Sequence, residues 1–253
     1  KSKRDEYLGK VYVNNQGLKM KVVECTDVHK VIVEFEDGYT KETLLTSLFR
    51  GSVKNPNHRG LNKQGYMGDG KYRCSVNKKR QLEYTKWKLM LQRCYNETFL
   101  DEHSTYKGCY VEEEWHNYQN FAEWYNKEYY DIGEELELDK DIMIKGNKKY
   151  SPEGCLLVPS RINTLIIKRD ANRGKYPLGV TFIKEKNKYR AVVNKNNKRE
   201  FIGHYDTPEE AFQAYKQAKE AYIQQVANEY KQKYGDKFPD KVYQALMNYR
   251  VEI

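Results

Sequence analysis

Two carboxylates, Asp139 and Asp141, stand close together in the stretch LELDKDIMIKGNKKYSPEGCLLVP (136–159), and Asn163 follows shortly after it. Carboxylate and amide oxygens are hard ligands of the kind that hold Mg2+ or Mn2+. A cation held there would stabilise charge on a phosphodiester and activate water against it. That chemistry also wants a base that titrates near neutrality, usually imidazole. The histidines are His29, His58, His103, His116 and His204, and none lies on this stretch. His116 or His103 would have to arrive through folding, and His116 is the candidate base. If Asp139 takes that place instead, its ordinary pKa of about 4 makes it a weaker base at neutral pH than imidazole. The same carboxylates have another use, pairing with Lys140, Lys145 or Lys148 across a hairpin, and that alternative stays open.

A second group of residues suits binding rather than reaction. Lys184, Lys186, Lys188, Arg190, Lys195, Lys198 and Arg199 lie on LGVTFIKEK, KYRAVVNKN and REFIGHY, or on the short Lys/Asn turns between them. Alternation along a strand presents several of these on one face. There the lysines suit phosphates, and the guanidiniums of Arg190 and Arg199 suit the paired acceptors of guanine.

The charge distribution agrees with a polyanionic partner. The net charge is +9, and it is segregated. Arg50 to Tyr95 carries 12 Lys/Arg against 2 acids, and Arg173 to His204 carries 9 against 2, whereas Asp101 to Asp141 carries 13 acids and 3 lysines. Two basic blocks therefore flank an acidic one, which faces away from phosphate, holds a cation or docks a basic host protein. No apolar run approaches the roughly 18 residues that cross a bilayer, and KSKRDEYLGK has no apolar export signal, so the expectation is a cytoplasmic protein without a membrane partner. Five cysteines, Cys25, Cys74, Cys94, Cys109 and Cys155, are an odd number without any CxxC. Reduced, mostly buried thiols are expected, and zinc is not, although Cys94, Cys109 and Cys155 with His116 would make a ligand set.

The elements that must position these residues read as an α+β protein of several small parts. Residues 1–57 alternate apolar and polar positions around NNQG and DG turns, with Val31, Val33 and Phe35 on one face: a small β module. Residues 58–80 are rich in Gly, Asn and Lys without a period and read as a basic linker or arm. In 81–170, Tyr84, Trp87, Leu91 and Cys94 share a helical stripe, and Trp115, Tyr118, Phe121, Ala122 and Tyr125 share a second. The strand, Gly-Asn turn and strand of 136–159 follow, and then the short helix SRINTLIIKRD. Residues 171–230 give three strands and a helix whose start is written in Thr207, Pro208 and Glu210. A terminal helix occupies 231–253. Aromatic side chains are 13% of the chain, including 23 tyrosines, so cores can form around rings despite a hydrophobic content of only 39%.

Two resemblances attach to these stretches. Gly179-Val180, Lys188-Tyr189-Arg190-Ala191, Ile202-Gly203-His204-Tyr205 and Thr207-Pro208-Glu209-Glu210-Ala211, with Tyr215 and Ala218, resemble the ERF-type (apetala-type) DNA-binding domain over about 176–228. That resemblance implies a sheet laid in the major groove of duplex DNA, with basic residues of its exposed face reading bases and phosphates. The plant pattern has more tryptophans and arginines on the sheet, so the site it reads is not transferred. YTKWKLMLQRCY, YKGCYVEEEWHNYQNFAEW and LDKDIMIKGNKKYSPEGCLLVP, followed by Asn163, resemble in this order an HNH-endonuclease-like family of phages and mobile elements, over about 82–166. This implies a ββα unit with a divalent cation on Asp139, Asp141 and Asn163, the cleavage or nicking of DNA, and residence in the host-cell cytoplasm. The chain departs from the pattern in lacking the hairpin histidine. A DNA-directed nuclease and a non-catalytic DNA-binding regulator or host-factor antagonist, docking through 101–141, are both left open.

Overall fold

Alternating apolar residues make strands of the first segments, because every second side chain must leave water together. Strands β1 (Val11–Val13), β2 (Lys19–Asp27), β3 (Lys30–Phe35) and β4 (Thr40–Thr43) form one antiparallel sheet in that order. Met20, Val22, Val31, Val33 and Phe35 come from its alternate positions. They meet Leu45 and Leu48 of the single-turn helix α1 (Leu45–Phe49), and Val53, in a small core. The computed structural model describes residues 6–27, 29–166 and 175–252, and the chain divides into two units, Lys1–Asn126 and Lys127–Ile253.

The first unit does not treat 58–80 as a linker. After β5 (Ser75–Val76) and β6 (Lys79–Arg80) come the helices α2 (Leu82–Tyr95) and α3 (Glu97–Glu102), strand β7 (Tyr110–Val111) and helix α4 (Tyr118–Glu128). The Tyr66 N–H donates to the His116 carbonyl at 2.9 Å, and the Tyr66 carbonyl accepts from the Tyr118 N–H at 2.9 Å. The Gln119 amide oxygen accepts the Tyr72 N–H, and its NH2 reaches the carbonyls of Met67 and Tyr72 at 3.0 Å each. Gly68, at φ +66°, lies where a Cβ would stand 2.0 Å from Asn117 Oδ1, so this close approach requires glycine. The expectation of a linker is corrected for a physical reason. The segment satisfies its backbone through side chains of other elements, which leaves no period in its own sequence. Of the helical stripes, Trp87, Leu91, Cys94, Trp115, Tyr118, Phe121, Ala122 and Tyr125 are buried and Tyr84 is half-buried, and the Trp87 indole N–H donates to the Trp115 carbonyl at 2.7 Å.

In the second unit β8 (Leu136–Asp139) and β10 (Leu156–Pro159) pair antiparallel, with Asp139 opposite Leu156, and helix α5 (Ser160–Ile166) follows. The order is ββα, but 140–155, which includes β9 (Lys149–Tyr150), is a long loop rather than a tight Gly-Asn hairpin turn. Asn147 holds it. Its NH2 donates to the carbonyls of Lys140 and Lys149 at 3.0 and 2.9 Å, and its oxygen accepts the Lys149 N–H at 2.9 Å. Strands β11 (Val180–Ile183), β12 (Lys188–Lys195) and β13 (Lys198–Tyr205) form an antiparallel sheet in sequence order. Helix α6 (Pro208–Tyr234) covers it, and α7 (Asp240–Met247) packs on α6.

The capping box at the start of α6 is formed as its sequence states. The Thr207 hydroxyl accepts the Glu210 N–H at 3.2 Å, and the Glu210 carboxylate accepts the Thr207 N–H at 3.3 Å. Leu156, Val158 and Ile162 of the ββα element share one core with Val180, Ala191 and Phe212 of the sheet and helix, and with Phe238, Val242 and Leu246 of the terminal segment. The sheet-and-helix segment is therefore not separate from its neighbours. Helix α6 continues through 230/231, and the boundary expected at 170/171 lies outside the described residues.

Candidate nucleic-acid interface

Ala191 and Val193 of β12 are buried toward α6, so Lys188, Arg190, Val192 and Asn194 occupy the opposite face of the strand. The register carries that face to β13, where Arg190 lies opposite His204, Val192 opposite Phe201, and Asn194 opposite Arg199. His204 and Phe201 are three residues apart and would face opposite ways on a regular strand. A bulge between Ala191 and Val192 inserts Ile202 and brings both onto the open face, with ring centroids 4.9 Å apart. Phe201 is 59% exposed. Beneath the sheet, Gly179 at φ +74° lets β11 meet α6, since a Cβ there would stand 2.1 Å from the Tyr215 ring.

The seven cations expected to bind DNA are placed unequally. Arg190 and Arg199 lie on the open face, flanked by Lys184 and Lys186 in the 3-10 turn between β11 and β12. Lys188 shares that face but is paired with Asp206. Lys195 and Lys198 lie opposite each other on the other face of the sheet, and Lys195 is bound to Glu200 at 2.8 Å and sits over the Tyr222 ring. The register therefore separates these two lysines from the surface of Arg190. Among the described residues no ion pair engages Lys184, Lys186, Arg190, Lys198 or Arg199. The Arg190 Nε is buried and has no hydrogen-bond partner among the described residues. Burial, and then the nearby charges of Lys186, Arg190 and Lys188, lower the pKa of His204 below its ordinary value.

The carboxylate cluster behaves differently from its sequence appearance. Asp139 Oδ1 accepts the N–H groups of Asp141 and Ile142 at 2.8 Å each, which makes it the cap of the loop that follows β8. Asp141 lies beyond the strand, and its carboxylate is bound by the buried Lys140 ammonium at 2.7 Å. Lys140 also donates to the Asn147 carbonyl at 2.5 Å. Asn163 is half-buried on α5.

His116 belongs to the first unit, 5% exposed, with both ring nitrogens engaged. The Val111 N–H donates to the Tyr95 hydroxyl, which faces His116 Nε2 at 3.0 Å, and His116 Nδ1 faces Glu113 at 2.9 Å, with Arg59 on the same carboxylate. The imidazole proposed as the base is thus held by Glu113 and Tyr95 of its own unit. Among the described residues no three His, Cys, Asp or Glu side chains come together as a metal-holding group. For Mg2+ or Mn2+ the fit of Asp139, Asp141 and Asn163 is poor: one carboxylate oxygen caps backbone, and the other carboxylate already has an ammonium. Cys94, Cys109 and Cys155 are buried, and burial pushes the Cys155 thiol up to about 12.

Burial raises the Asp139 pKa above the ordinary carboxyl range, against the opposing pull of its two backbone N–H donors. A carboxyl raised on folding contributes stability that is fully present below its unfolded pKa of about 3.9 and is lost as pH rises through the folded value. Asp139→Asn keeps the accepting oxygen and cannot ionise. The variant is expected to be at least as stable as the wild type at pH 7 and to lose less stability between pH 4 and 7, as read from urea midpoints along that series. A variant less stable by more than about 1 kcal/mol at pH 7 would mean that the ionised carboxylate stabilises the fold.

Phe201 and the bulge were not among the sequence candidates. Their signal is present in Phe201-Ile202-Gly203, where two apolar residues and a glycine break the alternation of a strand. The chain matches no known family model, none of the curated proteins and no solved structure. No helix among the described residues is long and apolar enough to cross a membrane.

Proposed function

We propose that this chain binds double-stranded DNA by laying the open face of β11–β13 in the major groove. The observation that carries the reading is the face made by the bulge: Arg190, Arg199, His204 and the exposed Phe201 on one surface, with the cations of Lys184 and Lys186 at its edge. Three strands spaced about 4.8 Å apart make a ribbon about 10 Å across, which suits a groove about 12 Å wide. The Arg190 and Arg199 guanidiniums have no described carboxylate to leave before they meet guanine, and Val192 with Phe201 offers an apolar surface to a thymine methyl group. The resemblance to the ERF-type domain adds to this reading.

A second reading, a Mg2+- or Mn2+-dependent nuclease or nickase, is favoured by the ββα order, which sets Asp139 at the end of its first strand and Asn163 on its helix. The engagement of both carboxylates weighs against it. The acidic stretch 101–141 remains the candidate surface for a host protein in a non-catalytic regulator.

Mobility-shift titrations with duplex DNA and RNA at several salt concentrations, beside supercoiled plasmid with Mg2+ or Mn2+, separate these readings. Duplex binding whose affinity falls with salt by about 0.9 log unit per phosphate contacted supports the first. Absence of duplex binding at low salt, or a preference for RNA, overturns it. Cleavage by the wild type and not by Asp139→Asn adds the nuclease; binding without cleavage by either protein leaves the ββα element as scaffold.

A further inference from the structure

A cleft of about 670 Å3 opens in the second unit between α5, the Asn196–Asn197 turn that joins β12 to β13, helix α6 and the segment around Tyr249. That size lies within the range of small-molecule sites, about 300–1,000 Å3. Its chemistry is one-sided: Arg161 and Lys219 line it, and among the described residues no carboxylate does. Arg161 is already held, by Glu229 at 3.2 Å and by Asn196 Oδ1 at 3.2 Å. Lys219 is half-buried and, among the described residues, has no ion pair or hydrogen bond. Burial alone lowers its pKa, as expected for an ammonium removed from water without a counter-charge. An anion beside it would supply what the fold leaves out.

The remaining walls are of two kinds. Tyr215, Tyr222 and Tyr249, with Leu165 and Leu178, give ring and apolar surface, and Ser160, Thr164 and Asn197 give hydrogen-bonding groups. Tyr222 is fixed, since its hydroxyl donates to Asn196 Oδ1 at 2.8 Å and accepts the Asn196 N–H at 3.0 Å. A fixed aromatic wall, amides and a lone ammonium suit a ligand that joins a flat heteroaromatic ring to a phosphate.

We propose that this cleft is a binding site for a nucleoside monophosphate unit, with Lys219 meeting the phosphate and the tyrosine wall meeting the base. The unit comes either from free nucleotide or from a nucleotide turned out of a nucleic-acid strand, because the Asn196–Asn197 turn ends two strands of the open sheet face. The site is distinct from that face and does not depend on duplex binding.

The test is calorimetric titration of the full chain carrying Arg190→Ala and Arg199→Ala, which removes those two groups from the open face as binders of the probe. The probes are dAMP, dTMP, the two nucleosides and inorganic phosphate. Both monophosphates are expected to bind, with the nucleosides and inorganic phosphate at least tenfold weaker. Adding Lys219→Met should cost the monophosphates tenfold or more, and adding Lys219→Arg should retain most of the affinity. Thermal melting of Lys219→Met, expected to match or exceed the parent because a half-buried charge without a described partner is gone, excludes unfolding as the cause of a loss. Competition of dAMP by a single-stranded oligonucleotide assigns the site to strand nucleotides, and its absence assigns it to free nucleotide. Equal affinity for inorganic phosphate and dAMP, no monophosphate binding at millimolar concentration, or affinity unchanged in Lys219→Met would overturn the proposal.

Discussion

Duplex DNA binding by the Arg190→Ala, Arg199→Ala double variant is expected to fall by at least about 30-fold, since each bidentate contact to a base contributes about 1–3 kcal/mol and about 1.4 kcal/mol is tenfold. The two guanidiniums differ from the lysines beside them in what their loss should do. They project from β12 and β13 on the same face, on strands whose register is fixed by a shared core, so the groups arrive at the groove already positioned. Their removal should flatten the base preference found by binding-site selection. Lys184→Ala with Lys186→Ala, in the turn at the sheet's edge, should instead weaken all sequences alike and reduce the salt slope by about 2. Unchanged site preference in the arginine variant would remove both residues as readers. Lys195→Ala and Lys198→Ala provide the internal control. Both lie on the other face of the sheet, and Lys195 is tied to Glu200, so their loss should change site preference least among the sheet cations.

What the amino-acid sequence discloses about this fold is what is local. The stripes of α2 and α4, the alternation of β2 and β3, and the cap written in Thr207, Pro208 and Glu210 all report a residue's relation to neighbours a few positions away, and all are formed. The parts that were not legible depend on distant partners. Residues 58–80 carry no period because Gln119 and Asn117 supply their order. The loop 140–155 looks like a hairpin turn because Gly146-Asn147 is a turn signal. Yet Asn147 uses its side chain to close a longer loop between strands whose pairing begins at Asp139 and Leu156.

The candidate site divides the same way. That Lys and Arg cluster on the strands is plain from alternation, but one inserted residue at the bulge decides which of them share a face with Phe201. Asp139 and Asp141 have the composition of a metal site, whereas backbone N–H groups and the Lys140 ammonium, invisible in the spacing, decide how those carboxylates are used. His116 is the strongest example. Its residue type suggests a base, and the contacts with Glu113 and Tyr95 that hold its ring are invisible in the spacing.

The terminal segment is where the shared core of the second unit makes its sharpest demand. Phe238 is fully buried, with its ring 5.3 Å from Tyr230 of α6 and 6.3 Å from Tyr130, and it belongs to the same apolar cluster as Ile162 of α5 and Ala191 of β12. Phe238→Ala should therefore cost about 3–5 kcal/mol, the usual range for deleting a buried ring whose cavity does not collapse. Its effect should extend beyond α7, because α6 carries the sheet on one part of its length and the Phe238 contact on another. The tyrosine hydroxyls of the same helix, Tyr230 and Tyr234, both donate to Glu134 at 2.7 Å, so a shift of α6 also disturbs the approach to β8.

The sequence supplies a convenient separation of signals. Trp87, Trp115 and Trp124 are the only tryptophans and all lie in Lys1–Asn126, so indole fluorescence reports the first unit, while far-ultraviolet circular dichroism reports both. In urea, the dichroism transition of Phe238→Ala should move to lower denaturant, and duplex binding should be lost at temperatures where the wild type still binds. An unchanged dichroism midpoint would mean that the terminal segment contributes nothing to the core that holds the sheet. Truncation before Asp236, which removes α7 along with the ring, should then be equally harmless. A large shift in both variants ties the proposed DNA-binding face to the last residues of the chain.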